Sequence, residues 1–151
     1  MKSTRTAICV AAGVTLSLTF ASMASAAGNP VADRQATMKQ IAQSMKEAFG
    51  FASGQTPFDA AKVKATLGGV AASSTRLHKL FPADSGSDPK SASDPKIWSN
   101  KADFDKRLTD MGALATTAGK ATSPETLKAA LGTLGGSCKS CHDIYRMKKP
   151  A

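Results

Sequence analysis

Four stretches of this chain place apolar residues at three- and four-residue steps, and no stretch gives a competing strand pattern. Such steps put side chains on one face of an α-helix. Short first and third connections make neighbouring helices antiparallel, so the sequence predicts an all-α, up-down-up-down four-helix bundle with a long connection between the second and third helices. Capping residues, prolines and glycines predict helix starts at Asn29, Thr56, Asn100 and Ser123, and ends near Ala52, Leu80, Gly119 and Lys149.

The first 26 residues resemble a secretory signal peptide and are left out of the predicted fold. Lys2 and Arg5 precede an apolar run from Ile8 to Phe20, and Ala24-Ser25-Ala26 is a small-x-small cleavage pattern. The apolar run is too short to span a bilayer core of about 30 Å. We therefore expect an exported, periplasmic protein without a membrane span, whose residues 27–151 form one domain.

The charge balance is basic, with a formal net charge of +9 for the whole chain and +7 after loss of Lys2 and Arg5. The lysines are scattered over all four predicted helices and aromatic residues make up only 5% of the chain, which does not indicate a nucleic-acid surface. A modest positive charge instead favours association with an acidic partner protein, and such association weakens with salt.

The chemistry of the chain lies in Cys138-Lys139-Ser140-Cys141-His142, a CxxCH sequence. Residues 138, 141 and 142 share one helix face, so two thioethers can hold a porphyrin edge while the imidazole reaches iron. A plain disulfide or a thiol oxidoreductase centre fits less well, because the pair lies late in a long helix with no strands around it. Zinc fits poorly, since His78 is the only further histidine. The motif predicts one covalently attached haem c.

Two glycine pairs, Gly68-Gly69 and Gly135-Gly136, interrupt predicted helices. A glycine in a helix interior costs about 1 kcal/mol relative to alanine, so some feature of the fold requires a small residue there. Close helix packing is one explanation. Clearance for a flat ligand beside the fourth helix is the other.

At this point the chain resembles the class II c-type cytochromes, the cytochrome c′ family, over essentially all of residues 27–151. The features that carry the resemblance are the C-terminal haem motif continuing to Arg146, the segment Pro95-Lys96-Ile97-Trp98, and residues 34–38. The resemblance implies a four-helix bundle and a periplasmic electron carrier or haem gas binder, not an enzyme. It also implies that a homodimer is common.

The resemblance places Met38 at the second axial position of the haem. In the high-spin branch of the family a bulky side chain from the first helix covers an open iron face, whereas in the low-spin branch a methionine binds the iron. The segment Leu77-His78-Lys79-Leu80-Phe81-Pro82 is similar to the low-spin branch. We therefore expect His142 and Met38 as metal ligands, with a non-ligating Met38 as the alternative.

Two arginines lie one helical turn from these ligands, Arg34 before Met38 and Arg146 after His142. Either can contact a haem propionate or tune the axial ligand through its charge. The alternative for both is a solvated arginine on the bundle surface. His78 is expected at an exposed helix end.

Three classes of function remain open on the sequence alone. The first is an electron carrier with a six-coordinate haem, and the second is a high-spin haem protein that binds or scavenges nitric oxide or other small gases. The third is a haem-free interaction module with a disulfide.

Overall fold

The computed structural model describes residues 28–147, apart from the side chain of Asp84. The predicted signal peptide and the predicted helix end at Lys148-Lys149-Pro150 lie outside the described residues. The described helices are α1 (Pro30–Ser53), α2 (Ala60–Leu77), the short α3 (Lys96–Ser99), α4 (Lys101–Ala118) and α5 (Pro124–Tyr145).

The four long helices pack as a bundle in which each touches two neighbours. α1 packs against α2, α2 against α4, α4 against α5, and α5 back against α1. Two short turns, residues 54–59 and 119–123, join antiparallel neighbours at one end, while the long connection from α2 to α4 covers the other end. Between residues 28 and 147 the only β feature is an isolated bridge, Ser93 to Arg146. The predicted all-α four-helix bundle is confirmed.

Two of the predicted helix starts are confirmed in atomic detail. The Asn29 side-chain oxygen accepts hydrogen bonds from the backbone N–H groups of Val31 and Ala32, at 3.0 and 3.1 Å. Ser123 forms a capping box with Thr126 ahead of α5. These side chains satisfy N–H groups that have no partner inside the helix.

Three predicted boundaries are wrong. α2 is capped by Asp59 rather than Thr56, because the Asp59 carboxylate accepts from the N–H groups of Ala61 and Lys62 while the Thr56 N–H donates to the Gly50 carbonyl. α2 ends at Leu77, and a 3₁₀ turn, His78–Leu80, follows it. α5 ends at Tyr145, well before Lys149.

The core is aliphatic through the middle of the bundle, and a cluster of four aromatic rings lies at the end covered by the long connection. Buried leucines and valines of all four long helices fill the aliphatic part. At the other end the ring of Phe104 lies edge-on to Phe81 and Tyr145, with centroids 4.6 and 5.3 Å apart, and Trp98 lies 6.5 Å from Phe81. This end therefore holds the aromatic cluster, while Phe51 and Phe58 lie near the opposite end, at the end of α1 and in the turn that follows it.

Close helix packing does not explain the two glycine pairs. A Cβ built at Gly68, Gly69, Gly135 or Gly136 meets no described atom within 4 Å. The close approach occurs on α4 instead, where a Cβ at Gly112 would lie 3.0 Å from the Ser74 hydroxyl of α2. The open space beside Gly135 and Gly136 adjoins the CxxCH motif, which begins two residues later on the same helix.

Candidate haem site

The three residues of the CxxCH motif lie in the last two turns of α5. Cys138 and Cys141 are half-buried and pack against the hydrophobic core, while His142 is exposed. The two thiols are not joined in a disulfide. The helix therefore presents two sulfurs and one imidazole at the three- and four-residue spacing that the sequence predicts.

The electrostatics of the two cysteines disfavour a thiol oxidoreductase centre. Burial raises the pKa of both thiols, and for Cys141 the Arg107 cation opposes that rise only in part. A reactive redox cysteine needs the opposite shift, because the thiolate is the nucleophile. The raised pKa values therefore argue against a disulfide-exchange centre.

His142 is held in the form that a metal ligand requires. Partial desolvation, and then the nearby Arg146 cation, lower the pKa of His142, while Asp143 acts in the opposite direction. Both lowering effects disfavour the imidazolium, and a neutral imidazole is the form that donates an electron pair to iron.

The backbone leading to the motif leaves room for a large planar group. Gly132, Gly135 and Gly136 lie in the two turns of α5 before Cys138, and a Cβ at any of them would stand in open space. The second pair, Gly68-Gly69, is exposed on α2; Gly69 lines a shallow cavity of about 270 Å³ with polar residues of α1. Only the glycines of α5 therefore leave open space beside the haem motif. Together with Cys138, Cys141 and His142, this space fits a covalently bound haem.

Met38 lies on α1, which packs directly against α5. Its side chain is half-buried and packs against the same core that Cys138 and Cys141 contact. Met45 is half-buried on the same helix two turns farther on, Met111 is buried on α4, and Met147 is exposed beyond the end of α5. Met38 remains the methionine closest to the level of His142 by helix register.

Distances from the helix ends alone do not bring Met38 and His142 to the same level. Because α5 ends at Tyr145, His142 lies only about 4.5 Å along the axis from the helix end, whereas Met38 lies about 12 Å from the start of α1. The connection between α2 and α4 supplies the alignment instead, since it contacts Arg34 on α1 and Arg146 after α5. Each of these arginines is one turn from its proposed ligand.

Arg34 is not the solvated surface arginine that was the alternative prediction. Its side chain is 4% exposed and lies with its guanidinium carbon 4.9 Å from the Phe81 ring centroid. Nη1 donates to the Leu80 carbonyl at 3.1 Å and to the Ser85 hydroxyl at 2.8 Å, and Nη2 donates to the Ser85 carbonyl at 3.0 Å and to the Ser91 hydroxyl at 2.8 Å. Burial lowers the pKa of Arg34, and Asp88 partly offsets this. The predicted propionate contact of Arg34 would compete with these bonds.

Arg146 follows the last residue of α5 in extended conformation, and its side chain is exposed. Its backbone N–H donates to the His142 carbonyl at 3.2 Å. Its cation is close enough to His142 to disfavour the imidazolium. Its predicted influence on the axial histidine is therefore physically reasonable, and its propionate contact stays a prediction.

A polar network beside Cys141 was missed by the sequence reasoning. The Tyr145 hydroxyl donates to the Asp103 carboxylate at 2.6 Å, and Arg107 Nε donates to the same oxygen at 2.7 Å. The Asn100 side-chain amide donates to the Tyr145 hydroxyl at 3.0 Å and makes no capping bond to the helix that begins after it. The four-residue spacing of Asp103 and Arg107 was a visible signal for an ion pair, whereas their contact with Tyr145 was not.

His78 is half-buried rather than exposed. Its Nδ1 lies 3.3 Å from the Asp105 carboxylate, and its Nε2 lies 3.4 Å from the Thr109 hydroxyl. Both ring nitrogens thus face α4 side chains. The residue joins the turn after α2 to α4 and stands apart from the cysteine motif.

An all-helical bundle that carries CxxCH on its last helix defines a class II c-type cytochrome. Comparison with known proteins agrees, since a family model described as Cytochrome C′ matches residues 29–146. The chain belongs to the cytochrome c′ family. Its cofactor is haem c, covalently attached through Cys138 and Cys141.

Individual relatives cover most of the chain. A cytochrome c′ of Rhodopseudomonas palustris is 41% identical over 120 residues, which are 79% of this chain and 82% of that protein. A cytochrome c-556 of Agrobacterium fabrum is 37% identical over 125 residues, 82% of this chain and 84% of that protein. A solved structure of Rhodopseudomonas palustris cytochrome c′ gives a TM-score of 0.75 at 40% identity, covering 81% of this chain and 98% of that one. Relatives with both names are therefore similar to this chain.

None of the helices described between residues 28 and 147 is long and apolar enough to cross a membrane.

Proposed function

We propose that this protein is a periplasmic monohaem electron carrier whose iron is bound by His142 and Met38, and that it is not an enzyme. The observation that carries the proposal is the placement of Met38, half-buried on the helix that packs against the haem-bearing α5. A thioether at that position would supply a second protein ligand to the haem iron, besides His142. Residues 27–151 are proposed as the exported domain, with residues 1–26 as its signal peptide.

Haem c supplies a one-electron Fe(III)/Fe(II) couple, and the residues of this chain set its environment. Two thioether bonds from Cys138 and Cys141 fix the porphyrin to α5. The lowered pKa of His142 favours the neutral imidazole that coordination requires. As a ligand, the Met38 sulfur would favour reduced iron and would keep water and gases from binding it.

The charge of the protein supports a carrier that meets a partner protein. A net charge of +7 for residues 27–151 favours encounter with an acidic redox protein, and electron transfer to such a partner should slow as ionic strength rises. The same charge would give no advantage for an uncharged gas.

Gas binding is the second candidate function, and one comparison favours it. A solved cytochrome c′ variant from Alcaligenes xylosoxidans, 30% identical with a TM-score of 0.69, is described as a nitric oxide complex. If Met38 covers the iron without binding it, this chain would bind nitric oxide in the same way.

The two functions are separated by carbon monoxide binding to the ferrous holoprotein. We expect the wild type to be low-spin and to bind carbon monoxide slowly, because Met38 must first leave the iron. Met38→Leu should be five-coordinate and bind it quickly. Met45→Leu is the matched control, with the same substitution on the same helix, and should behave as wild type. A wild type that binds carbon monoxide as fast as Met38→Leu contradicts the proposal.

A further inference from the structure

Residues 80–94, which we call the strap, cross the end of the bundle between α1 and the end of α5. On the α1 side, four hydrogen bonds from the buried Arg34 hold this region, including one from Nη2 to the Ser91 hydroxyl at 2.8 Å. The Gln35 side-chain amide adds a bond to the Lys90 carbonyl at 2.9 Å. The strap is therefore attached to the first two turns of α1.

The other attachment of the strap lies immediately after the haem motif. The Asp94 N–H donates to the Tyr145 carbonyl at 2.9 Å, and the Met147 N–H donates to the Ala92 carbonyl at 2.9 Å. Between them, Ser93 and Arg146 form the isolated bridge. These backbone bonds fix the end of α5 to the strap and end the helix at Tyr145.

Ser91 connects the two attachments. Its hydroxyl oxygen accepts from Arg34 Nη2 at 2.8 Å and from the Ser93 N–H at 3.1 Å. Ser91 is 5% exposed, so water competes little for these bonds. The path from Arg34 to the α5 bridge thus consists of two hydrogen bonds to one buried oxygen.

Arg34 and Arg146 lie at the two ends of this path. Each is one helical turn nearer the strap than the proposed axial ligand on its own helix. Arg34 precedes Met38 by four residues on α1, and Arg146 follows His142 by four residues. A displacement of the start of α1 away from the end of α5 would therefore separate Met38 from His142. The strap opposes that displacement.

We propose that Arg34 and Ser91 are positioning residues that hold α1 against α5, so that the Met38 sulfur stays on the iron and the second haem face stays closed. This inference rests on the proposed function, because it takes Met38 as a ligand. Loss of either residue releases the start of α1, and local opening of that segment lets Met38 dissociate more often. The haem, His142 and both thioethers are unchanged.

The test uses the full-length holoprotein and the limiting rate of carbon monoxide binding at saturating gas, which equals the rate at which Met38 leaves ferrous iron. Removing a hydrogen bond to a charged group should raise this rate roughly tenfold in Ser91→Ala. Arg34→Gln, which removes the charge and several bonds, should raise it more. In Arg34→Lys, which keeps the positive charge, the limiting rate should lie between those of Arg34→Gln and the wild type. Arg76→Gln, an exposed arginine in the last turn of α2, is the control.

A double-mutant comparison separates positioning from a general loss of stability. In a Met38→Leu background the strap substitutions should leave carbon monoxide binding unchanged, because no sulfur remains to dissociate. The far-red absorption band of the methionine–ferric iron bond should weaken in Arg34→Gln and Ser91→Ala while helix content stays constant.

Several results would overturn the inference. One is a limiting rate within twofold of wild type in both Ser91→Ala and Arg34→Gln, whatever their unfolding temperatures. Another is an equal acceleration with and without Met38. If Arg34→Gln does not assemble with haem, Ser91→Ala alone decides. A wild type without the far-red band refutes the Met38 assignment before any strap variant is made, and the positioning role falls with it.

Discussion

The two ends of the bundle are closed by different kinds of contact. At one end, the turns 54–59 and 119–123 are closed by residues adjacent in sequence, with Gly54 at a positive φ of 77° and caps from Asp59 and Ser123. At the other end, the strap is held by Arg34, which lies 46 to 57 residues from its partners. Only this second end adjoins the haem motif.

The difference shows where stability and function are connected in this molecule. The turn end is built from short-range caps above a core of aliphatic side chains and Phe51, so changes there should alter unfolding without altering the haem. The strapped end combines the aromatic cluster, the buried Arg34 and the end of α5. Changes there should affect the fold and the iron together.

The largest expected effect is loss of the covalent haem. Replacing Cys138 and Cys141 together by Ala should lower the free energy of unfolding by more than about 4 kcal/mol, the stabilisation given by a ligand present at a thousand times its Kd. Hydrogen exchange should rise first at the strapped end, while the amides of the buried Leu127 and Leu131 in the first turns of α5 stay protected longer.

The control for this double variant is Ser140→Ala, an exposed position inside the same motif. It should keep both the haem and the wild-type unfolding temperature. A double cysteine variant as helical and as heat-stable as wild type would show that the fold does not depend on the cofactor.

A core truncation at the turn end should lower the stability of the fold without changing the haem site. Leu127 is fully buried near the start of α5, and Leu127→Ala should cost about 2–5 kcal/mol by leaving a cavity. Thermal or denaturant unfolding measures the loss. The haem spectrum and the limiting carbon monoxide rate of the folded variant should match wild type, and a shift in either would mean that the two ends are not independent.

The smallest expected effect is a pH dependence confined to the strapped end. Hydrogen bonds from Arg107 and then Tyr145 hold the pKa of Asp103 below its ordinary value of 3.8. The ionised carboxylate therefore stabilises the folded state above the unfolded-state pKa, and this contribution is lost as pH falls through the folded-state value.

Asp103→Asn should accordingly flatten the fall in stability on the acid side, below about pH 4. Denaturant unfolding between neutral and acid pH measures this. Asp110→Asn, which removes an exposed carboxylate paired with Lys106 on the same helix, is the control and should keep the wild-type slope. Equal slopes in wild type and Asp103→Asn would remove Asp103 from the acid response.

The same division between the ends explains what could be predicted from the sequence. The helices, the caps at Asn29 and Ser123, and the haem motif depend on residues a few positions apart, and such patterns are visible in one chain. The Thr56 cap was wrong because Thr56 and Asp59 are both good caps and the turn after α1 uses the Thr56 backbone. Local sequence could not choose between them.

Long-range contacts account for the rest of the differences. Arg34 was placed one turn from Met38 correctly, but its burial depends on Ser85 and Ser91, which belong to a loop with no periodic pattern. The end of α5 was predicted too late because backbone pairing with Ala92 and Asp94 stops the helix at Tyr145. Neither contact leaves a signal in the spacing of apolar residues.

The most direct test of the central assignment is the spin state of the untouched ferric holoprotein. Electron paramagnetic resonance at low temperature, together with the far-red absorption band, reports whether a methionine sulfur is bound opposite His142. The expected result is a low-spin, six-coordinate signal with the methionine band present at neutral pH. A high-spin, five-coordinate signal without that band would contradict ligation by Met38 and make gas binding the better assignment.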